Sequence, residues 1–376
     1  MINIGLFYED IPNRNPSEKI FTDIFFENFN TKIFNASKIK NKKYLENYLQ
    51  LNDIYILHFY SFLYHDKFAP KKIDIKYFPE NFKKIILAHK KILPLLLETK
   101  KPIIIMFVRS DWYSHGQNFW ENIPENAYLF GGFKKGYLNT NASDEFIFKK
   151  FGSNIELGNE FIEDYKILPF HHVVDKNELK FCNKFNQKKY DIAILGVLYK
   201  RRKYLYEILK NKKNIKLYDQ WLLLKLRKIF NSFDKKKYKF NHKILSYLFK
   251  KAICNSKISY TDGSELDMFV RKFIEIPALK SLLYCDPFKN MKDYGFIENI
   301  HYIKVDQKNI EEQIYYLLKD SDKIQKITYN GYNLILKNFS KNAYKKNIEK
   351  VFGLISQDKF KEAFWNNGKL HILEKK

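Results

Sequence analysis

Short apolar runs alternate with amphipathic segments over the first 110 residues. The runs at 2–7, 53–59 and 101–108 are continuous and rich in branched residues, a pattern typical of buried parallel strands. The segments at 17–29 and 80–98 repeat apolar residues at helical spacing instead. The sequence further predicts Ser17 as the cap of the first helix, a brief strand at 31–34 and a polar helix at 41–50. Strand–helix–strand alternation of this kind predicts a Rossmann-like N-terminal domain over 1–170.

The same alternation returns after residue 186 and predicts a second Rossmann-like domain over 186–340. Its predicted strands lie at 190–195, 214–219, 257–260 and 281–285. One predicted helix begins near 202, and four others cover 242–255, 267–279, 308–319 and 321–338. Ser321 is the predicted cap of the last of these helices. We expect a connection between the domains near 168–178 and a helical tail over 340–366, within a final segment 341–376.

Two stretches of the sequence are less regular. Gly131, Gly132 and Gly136 lie in a lysine-flanked segment without a phosphate-loop motif, which we interpret as a turn. Residues 153–168 have the polarity of a helix, and residues 221–240 receive no assignment.

The most informative stretch is 256–306. Its order of strand, polar loop, helix and strand is that of a crossover between parallel strands, and ligands of such sheets bind at the carboxyl ends of the strands. This edge holds Gly263 and Ser264, followed by Arg271 and Glu275, whose spacing of four places them on one helix face. Such a pair is ordinarily a solvated surface pair. A cation and a carboxylate are also what the phosphates and ribose of a nucleotide require.

A second anion site is indicated where the strand at 190–195 ends. Gly196 and Tyr199 are followed by Arg201 and Arg202 at the start of a helix. Backbone N–H groups at a helix N-terminus favour phosphate, and one of the two arginines would add a positive charge.

The segment VRKFIEIPALKSLLYCD, followed by DYGFIENIHYIKVD, resembles the nucleotide-binding half of group-1 glycosyltransferases. The likeness is greatest to the branch that includes spore-maturation-type proteins, and it covers roughly residues 186–340. The residues that carry it are Asp191, Gly196, Tyr199, Arg201 or Arg202, Arg271, Phe273, Glu275, Pro277, Ala278, Asp286, Gly295, Phe296, Glu298, Asn299 and Tyr302. The chain departs at Lys280, where the family usually has glycine. If that position requires positive φ, lysine costs on the order of 1 kcal/mol.

The resemblance implies an α/β protein of GT-B architecture, in which two Rossmann-like domains face a cleft and a C-terminal helix returns to the first domain. It implies a nucleotide-diphosphate sugar as donor substrate, with Arg271 and Arg201 or Arg202 at the diphosphate and Glu275 at the ribose. Gly196, Tyr199, Gly263 and Ser264 would lie beside the donor. Basic side chains stabilise the leaving diphosphate in this architecture, so we expect neither a metal nor another cofactor. The sequence has no convincing Asp-x-Asp metal motif.

A general base, required if the reaction inverts, should lie at a strand end of the first domain. The candidates are Asp111, His58 and His115, with Glu9 or Asp10 as further options. A lone histidine at a strand end is more often structural, and the sequence does not decide between inversion and retention.

Composition adds a formal net charge of +25, which would also suit a nucleic acid or an anionic membrane surface. The lysine excess is spread along a chain that is generally rich in Lys, Asn, Ile, Phe and Tyr. We therefore expect no nucleic-acid partner and at most a weak attraction to anionic lipid headgroups. A basic nucleic-acid-binding protein and a non-catalytic nucleotide-sugar-binding protein are the two alternatives to an enzyme.

The remaining features concern location. Cys182, Cys254 and Cys285 are odd in number, far apart in the sequence and without metal-ligand spacing, which suits a reducing compartment. The first residues lack the pattern of a signal peptide, and no apolar run approaches the ~20 residues of a membrane span. We expect a cytoplasmic protein, at most peripheral to the inner face of the cell membrane. Its acceptor would be a cell-surface glycan or a lipid-linked saccharide, as in capsule or lipooligosaccharide synthesis.

Overall fold

The computed structural model describes residues 1–7, 16–34, 42–58, 93–107, 122–131, 166–178, 182, 185–196, 198, 200–220, 223, 225–226, 235–263 and 268–376. Within these ranges the chain forms two parallel sheets and a C-terminal hairpin.

The first sheet has six strands in the order β2-β1-β3-β4-β5-β6, all parallel. Its elements are β1 (Asn3–Phe7), α1 (Pro16–Asn28), β2 (Asn30–Phe34), α2 (Lys42–Gln50), β3 (Ile54–His58), β4 (Ile103–Phe107), β5 (Ala127–Gly131) and β6 (Lys166–Leu168). Every residue of β4 is buried, as expected of a strand covered on both faces.

The second sheet has five parallel strands in the order β11-β10-β9-β7-β8. Its elements are β7 (Tyr190–Ile194), α3 (Lys200–Leu209), β8 (Leu217–Tyr218), α4 (Lys235–Cys254), β9 (Ser256–Thr261), α5 (Lys272–Ala278), β10 (Leu282–Cys285), β11 (Ile303–Lys304), α6 (Ile310–Lys319) and α7 (Ser321–Asn338). Two sheets of this kind, with helices between their strands, confirm the predicted architecture.

Several local predictions are corrected. Gly131, the first residue of the segment interpreted as a turn, is the last residue of the buried strand β5, and 166–168 is the edge strand β6 rather than helix. Helix α5 starts at Lys272 instead of 267, because the preceding residues Met268 and Phe269 are buried without helical structure. Asp320 rather than Ser321 caps α7, since its carboxylate accepts a hydrogen bond from the Lys323 N–H at 3.0 Å.

The predicted Ser17 cap is also wrong, because α1 already begins at Pro16. The Ser17 hydroxyl is instead buried against the connection between the domains, where it accepts a hydrogen bond from the Val173 N–H at 3.1 Å.

The last helix, α8 (Lys341–Ser356), returns to the first domain as expected. Phe352 stacks on Phe25 and Phe29 of the α1 region at centroid distances of 5.7 and 5.3 Å. The helix does not continue to 366. Residues Phe360–Asn366 (β12) and Lys369–Glu374 (β13) form an antiparallel hairpin. Its turn places Asn367 and Gly368 at positive φ, the conformation that an Asn-Gly dipeptide favours.

The hairpin contacts both halves of the molecule. The indole N–H of Trp365 donates to the Pro169 carbonyl at 2.9 Å, next to the first sheet, and Phe360 packs edge-on against Tyr128 of β5. At the other end, the Gly368 N–H donates to the Asp293 carbonyl of the second domain at 2.9 Å. No helix within the described ranges has the length and apolarity that crossing a membrane requires.

Candidate functional site

Two cationic groups meet at the carboxyl end of β7. Gly196 follows this strand with φ of +104°, a conformation that side-chain-bearing residues rarely adopt. A Cβ at this position would lie 2.8 Å from the Lys272 Nζ and 3.3 Å from the Arg202 Nη1. The absence of a side chain therefore lets an ammonium and a guanidinium group approach the same backbone turn.

Adjacent strands bring Arg202 to this place. It lies in the first turn of α3, after β7, and forms an ion pair with Asp262, which directly follows the neighbouring strand β9. Both side chains are almost fully buried. The pair therefore ties the first turn of α3 to the end of β9, and removing either member would break a buried ion pair.

Lys272 begins α5 and donates from Nζ to the Leu195 carbonyl at 2.8 Å. Lys272 is absent from the residues predicted for the donor site, which include its neighbour Arg271. The available signal was the same one, a basic residue at the start of the helix that follows β9.

Gln220 closes the site from the end of β8. Its Oε1 accepts a hydrogen bond from the Gly196 N–H at 3.1 Å, and only 2% of the residue is exposed. The Nε2 of this side chain has no hydrogen-bond partner among the described residues. A buried amide donor without an acceptor costs free energy, and such groups commonly serve a ligand.

Arg271 and Glu275 lie side by side, as their spacing predicted, but they are not a solvated pair. The guanidinium Nη1 donates to the Glu275 Oε1 at 2.7 Å, and the two side chains are 9% and 10% exposed. Nη2 donates to both carboxylate oxygens of Glu178 at 2.8 Å. Further bonds reach the Ser17 hydroxyl and the Val173 carbonyl, both at 3.3 Å. Arg271 thus joins α1, the connection between the domains and α5.

The charges of this cluster stabilise one another. Burial would raise the pKa of Glu178, but Arg271 and Lys250 outweigh it, so the pKa lies below its ordinary value. Burial would lower the pKa of Arg271, yet Glu275 and Glu178 raise it. An anionic ligand at Arg271 would compete with these two carboxylates. A diphosphate role for Arg271 therefore stays a prediction, while Lys272 is the residue of α5 that reaches Gly196.

The other predicted site residues divide into three groups. Gly263 is buried at the same edge, and its carbonyl accepts from the Met268 N–H at 2.8 Å. Arg201 is exposed on α3, so Arg202 is the arginine beside Gly196. Tyr199, Ser264, Asp111, His115, Glu9 and Asp10 lie outside the described residues, as does the side chain of His58, the last residue of β3.

Two further side chains near the sheets and the connection have structural roles. Asp191, at the amino-terminal half of β7, bonds to the Lys257 Nζ at 2.8 Å and to the Lys216 N–H at 2.9 Å. His171 is buried beside Phe269, with its Nε2 2.6 Å from the Tyr294 hydroxyl. Burial keeps the pKa of His171 well below its ordinary value, so its ring is neutral. Within the described ranges, no group of three His, Cys, Asp or Glu side chains could hold a metal ion.

Two solved structures share this architecture over almost the whole chain. Anabaena HepE in complex with UDP and glucose superposes with a TM-score of 0.51 at 10% identity, covering 94% of this chain and 100% of that one. Sucrose-phosphate synthase from Thermosynechococcus elongatus gives 0.54 at 9% identity, covering 95% and 100%. Similarity this remote establishes the fold, which is GT-B. The sequence matches no family model and no curated protein.

Proposed function

We propose that this chain is a glycosyltransferase that moves a sugar from a nucleotide-diphosphate sugar to an acceptor hydroxyl. The observation that most supports this proposal is that Lys272, Arg202 and the backbone of Gly196 converge at the carboxyl ends of adjacent parallel strands. This is the edge where parallel sheets bind ligands, and it is where a diphosphate would find two cations beside a glycine turn.

The chemistry follows from that arrangement. Departure of the sugar leaves negative charge on the diphosphate, and preorganised cations lower the energy of that state without reorganising. Lys272 would supply this stabilisation directly, Arg202 would add to it from its ion pair with Asp262, and the start of α3 would add its dipole. The reaction then needs no divalent metal. Glu275 would bind the ribose, held in place by Arg271. Asp111, His58 and His115 stay the candidates for a base.

Three finer statements belong to the same proposal. The HepE complexes with UDP and with UDP-glucose support a uridine diphosphate sugar as the first donor to test. The sequence resemblance supports the spore-maturation-type branch. The net charge of +25 supports an acceptor at an anionic membrane surface, a cell-surface glycan or a lipid-linked saccharide.

The test is thermal unfolding with UDP-, GDP-, CMP- and dTDP-linked sugars, with and without EDTA. A true donor at about one hundred times its Kd stabilises the protein by about 2.7 kcal/mol. Lys272→Met should abolish most of this response. Lys251→Met, which removes an exposed lysine of α4, is the matched control. An unchanged response in Lys272→Met would refute the site.

Turnover separates the alternatives. Release of nucleoside diphosphate in the presence of saccharide acceptors identifies an enzyme, whereas donor-induced stabilisation without release identifies a binding protein. A nucleic-acid-binding protein would show no donor response and a steeply salt-dependent affinity for oligonucleotides.

A further inference from the structure

Two cysteines that are remote in sequence lie against each other. Cys182 lies four residues after the connection at 168–178 and before β7, and Cys254 is the last residue of α4. Their sulfur atoms are 2.6 Å apart. Formation of a disulfide, whose sulfurs are about 2.05 Å apart, needs only a small further approach. The pair therefore already has the proximity that covalent bonding requires.

The two thiols differ in exposure. Cys254 is 1% exposed, whereas Cys182 is half-buried and lines a cavity of about 560 Å³. Lys188, Lys280 and Tyr332 line the same cavity. A small solute in this cavity therefore meets Cys182 before Cys254, which lies against it.

The surroundings of Cys182 lower its pKa, although its burial acts in the opposite direction. A hydrogen bond from the Cys254 thiol lowers the pKa of Cys182, and the charges of Lys188 and Lys280 lower it further. The same hydrogen bond raises the pKa of Cys254, which stays protonated. An attacking thiolate paired with a protonated resolving thiol is the arrangement of a reactive dithiol.

We propose that Cys182 and Cys254 form a redox-active dithiol that closes to an intramolecular disulfide on reaction with a peroxide. The Cys182 thiolate attacks one oxygen of hydrogen peroxide, the O–O bond breaks, and the departing hydroxide takes up a proton to become water. Cys182 is then a sulfenic acid. The Cys254 sulfur attacks the Cys182 sulfur, the S–O bond breaks, and a second water leaves with the Cys254 proton. The thiols lose two electrons and the peroxide gains two.

The cross-link would fix the connection between the domains to the second domain. Cys182 lies four residues after Glu178, which holds Arg271. On the other side, the Lys188 ammonium donates to the Cys254 carbonyl at 2.7 Å. The disulfide would thus join two segments that already meet through backbone and ionic contacts, and it would replace the bond from the Cys182 thiol to the Leu279 carbonyl.

The experiment treats the folded, reduced protein with a small excess of hydrogen peroxide, removes the oxidant and alkylates the thiols under denaturing conditions. The alkylated thiols should fall from three to one, and a thiol reductant should restore all three. Mapping by mass spectrometry without reduction should identify a peptide that joins Cys182 to Cys254. This measurement uses the unmodified chain, so it does not depend on the folding of any variant.

Variants then locate the reaction. Cys182→Ser and Cys254→Ser should each abolish the cross-link. Cys285→Ser, which changes the third and fully buried cysteine, should leave it unchanged. Three alkylated thiols after treatment, a different cysteine pair, or oxidation of Cys182 to sulfinic acid without the cross-link would each overturn the proposal. None of these outcomes bears on donor binding, which is measured separately.

Discussion

Replacing Arg271 tests whether its ion pairs stabilise the fold, because a solvated surface pair would contribute little to the free energy of unfolding. In Arg271→Met the side chain keeps its length and loses its charge, leaving the carboxylates of Glu178 and Glu275 at 13% and 10% exposure. Breaking a buried ion pair costs about 3–5 kcal/mol. Lys250 stays 2.7 Å from Glu178 and compensates part of that loss. We therefore expect a loss of about 3 kcal/mol.

The assay is urea unfolding followed by far-ultraviolet circular dichroism at pH 7. Adding Glu275→Gln to Arg271→Met removes a stranded carboxylate and should recover about 1–2 kcal/mol. Lys251→Met is the control, since the loss of an exposed lysine should change stability by less than about 0.5 kcal/mol.

The pH dependence gives an independent check. The pKa of Glu178 is lowered in the folded protein, so its contribution is present above the ordinary value of 4.5. It is lost as the pH falls through the lower folded-state value. Without Arg271, the pKa of Glu178 rises toward its ordinary value, so protonation of Glu178 at low pH costs the variant less free energy of unfolding than it costs the wild type. The difference between wild type and Arg271→Met should therefore shrink below pH 4.5. A loss under 1 kcal/mol at pH 7, or a difference that is constant with pH, would refute this reasoning.

Three further substitutions test single features. Gly196→Ala places a methyl group 2.8 Å from the Lys272 Nζ at positive φ, so differential scanning fluorimetry should show a loss of about 1–2 kcal/mol together with loss of the donor response. Lys280 has φ of +52°, and Lys280→Gly should raise stability in urea by about 0.5 kcal/mol, with a decrease contradicting the strain argument. Trp365→Phe keeps the packing but removes the bond to the Pro169 carbonyl; urea unfolding should show a loss of about 1–3 kcal/mol, and an unchanged midpoint would show that the bond contributes nothing.

Local pattern was sufficient for much of the fold and part of the site. Continuous apolar runs predicted β1, β3, β4, β7 and β10 within one or two residues, because a strand buried on both faces needs that composition. Gly196 and one of Arg201 and Arg202 could be placed at the carboxyl-terminal edge of the second sheet from topology, since the carboxyl ends of parallel strands share one edge, and the structure selects Arg202. Lys280, where the resembling family usually has glycine, has a positive φ in the structure.

Local pattern failed where neighbouring turn chemistry or packing outweighed periodicity. The helical spacing of the apolar residues in the tail predicts a helix to 366. The Asn367–Gly368 turn instead closes a hairpin that contacts both domains. Likewise β5 contains a glycine at its end, which suggested a turn, while its apolar residues fill the sheet between β4 and β6.

What the amino-acid sequence determined by itself was the sequence of strands and helices and the edge of the second sheet that carries basic residues. Only the tertiary structure decided that Lys272 rather than Arg271 reaches Gly196, and that Arg271 binds Ser17 and Glu178, which lie 254 and 93 positions away. It also brought Cys182 to Cys254 across 72 positions. Periodicity records which face of one element is buried. It carries no information on which distant side chain meets that face, because such contacts depend on how the two domains pack together.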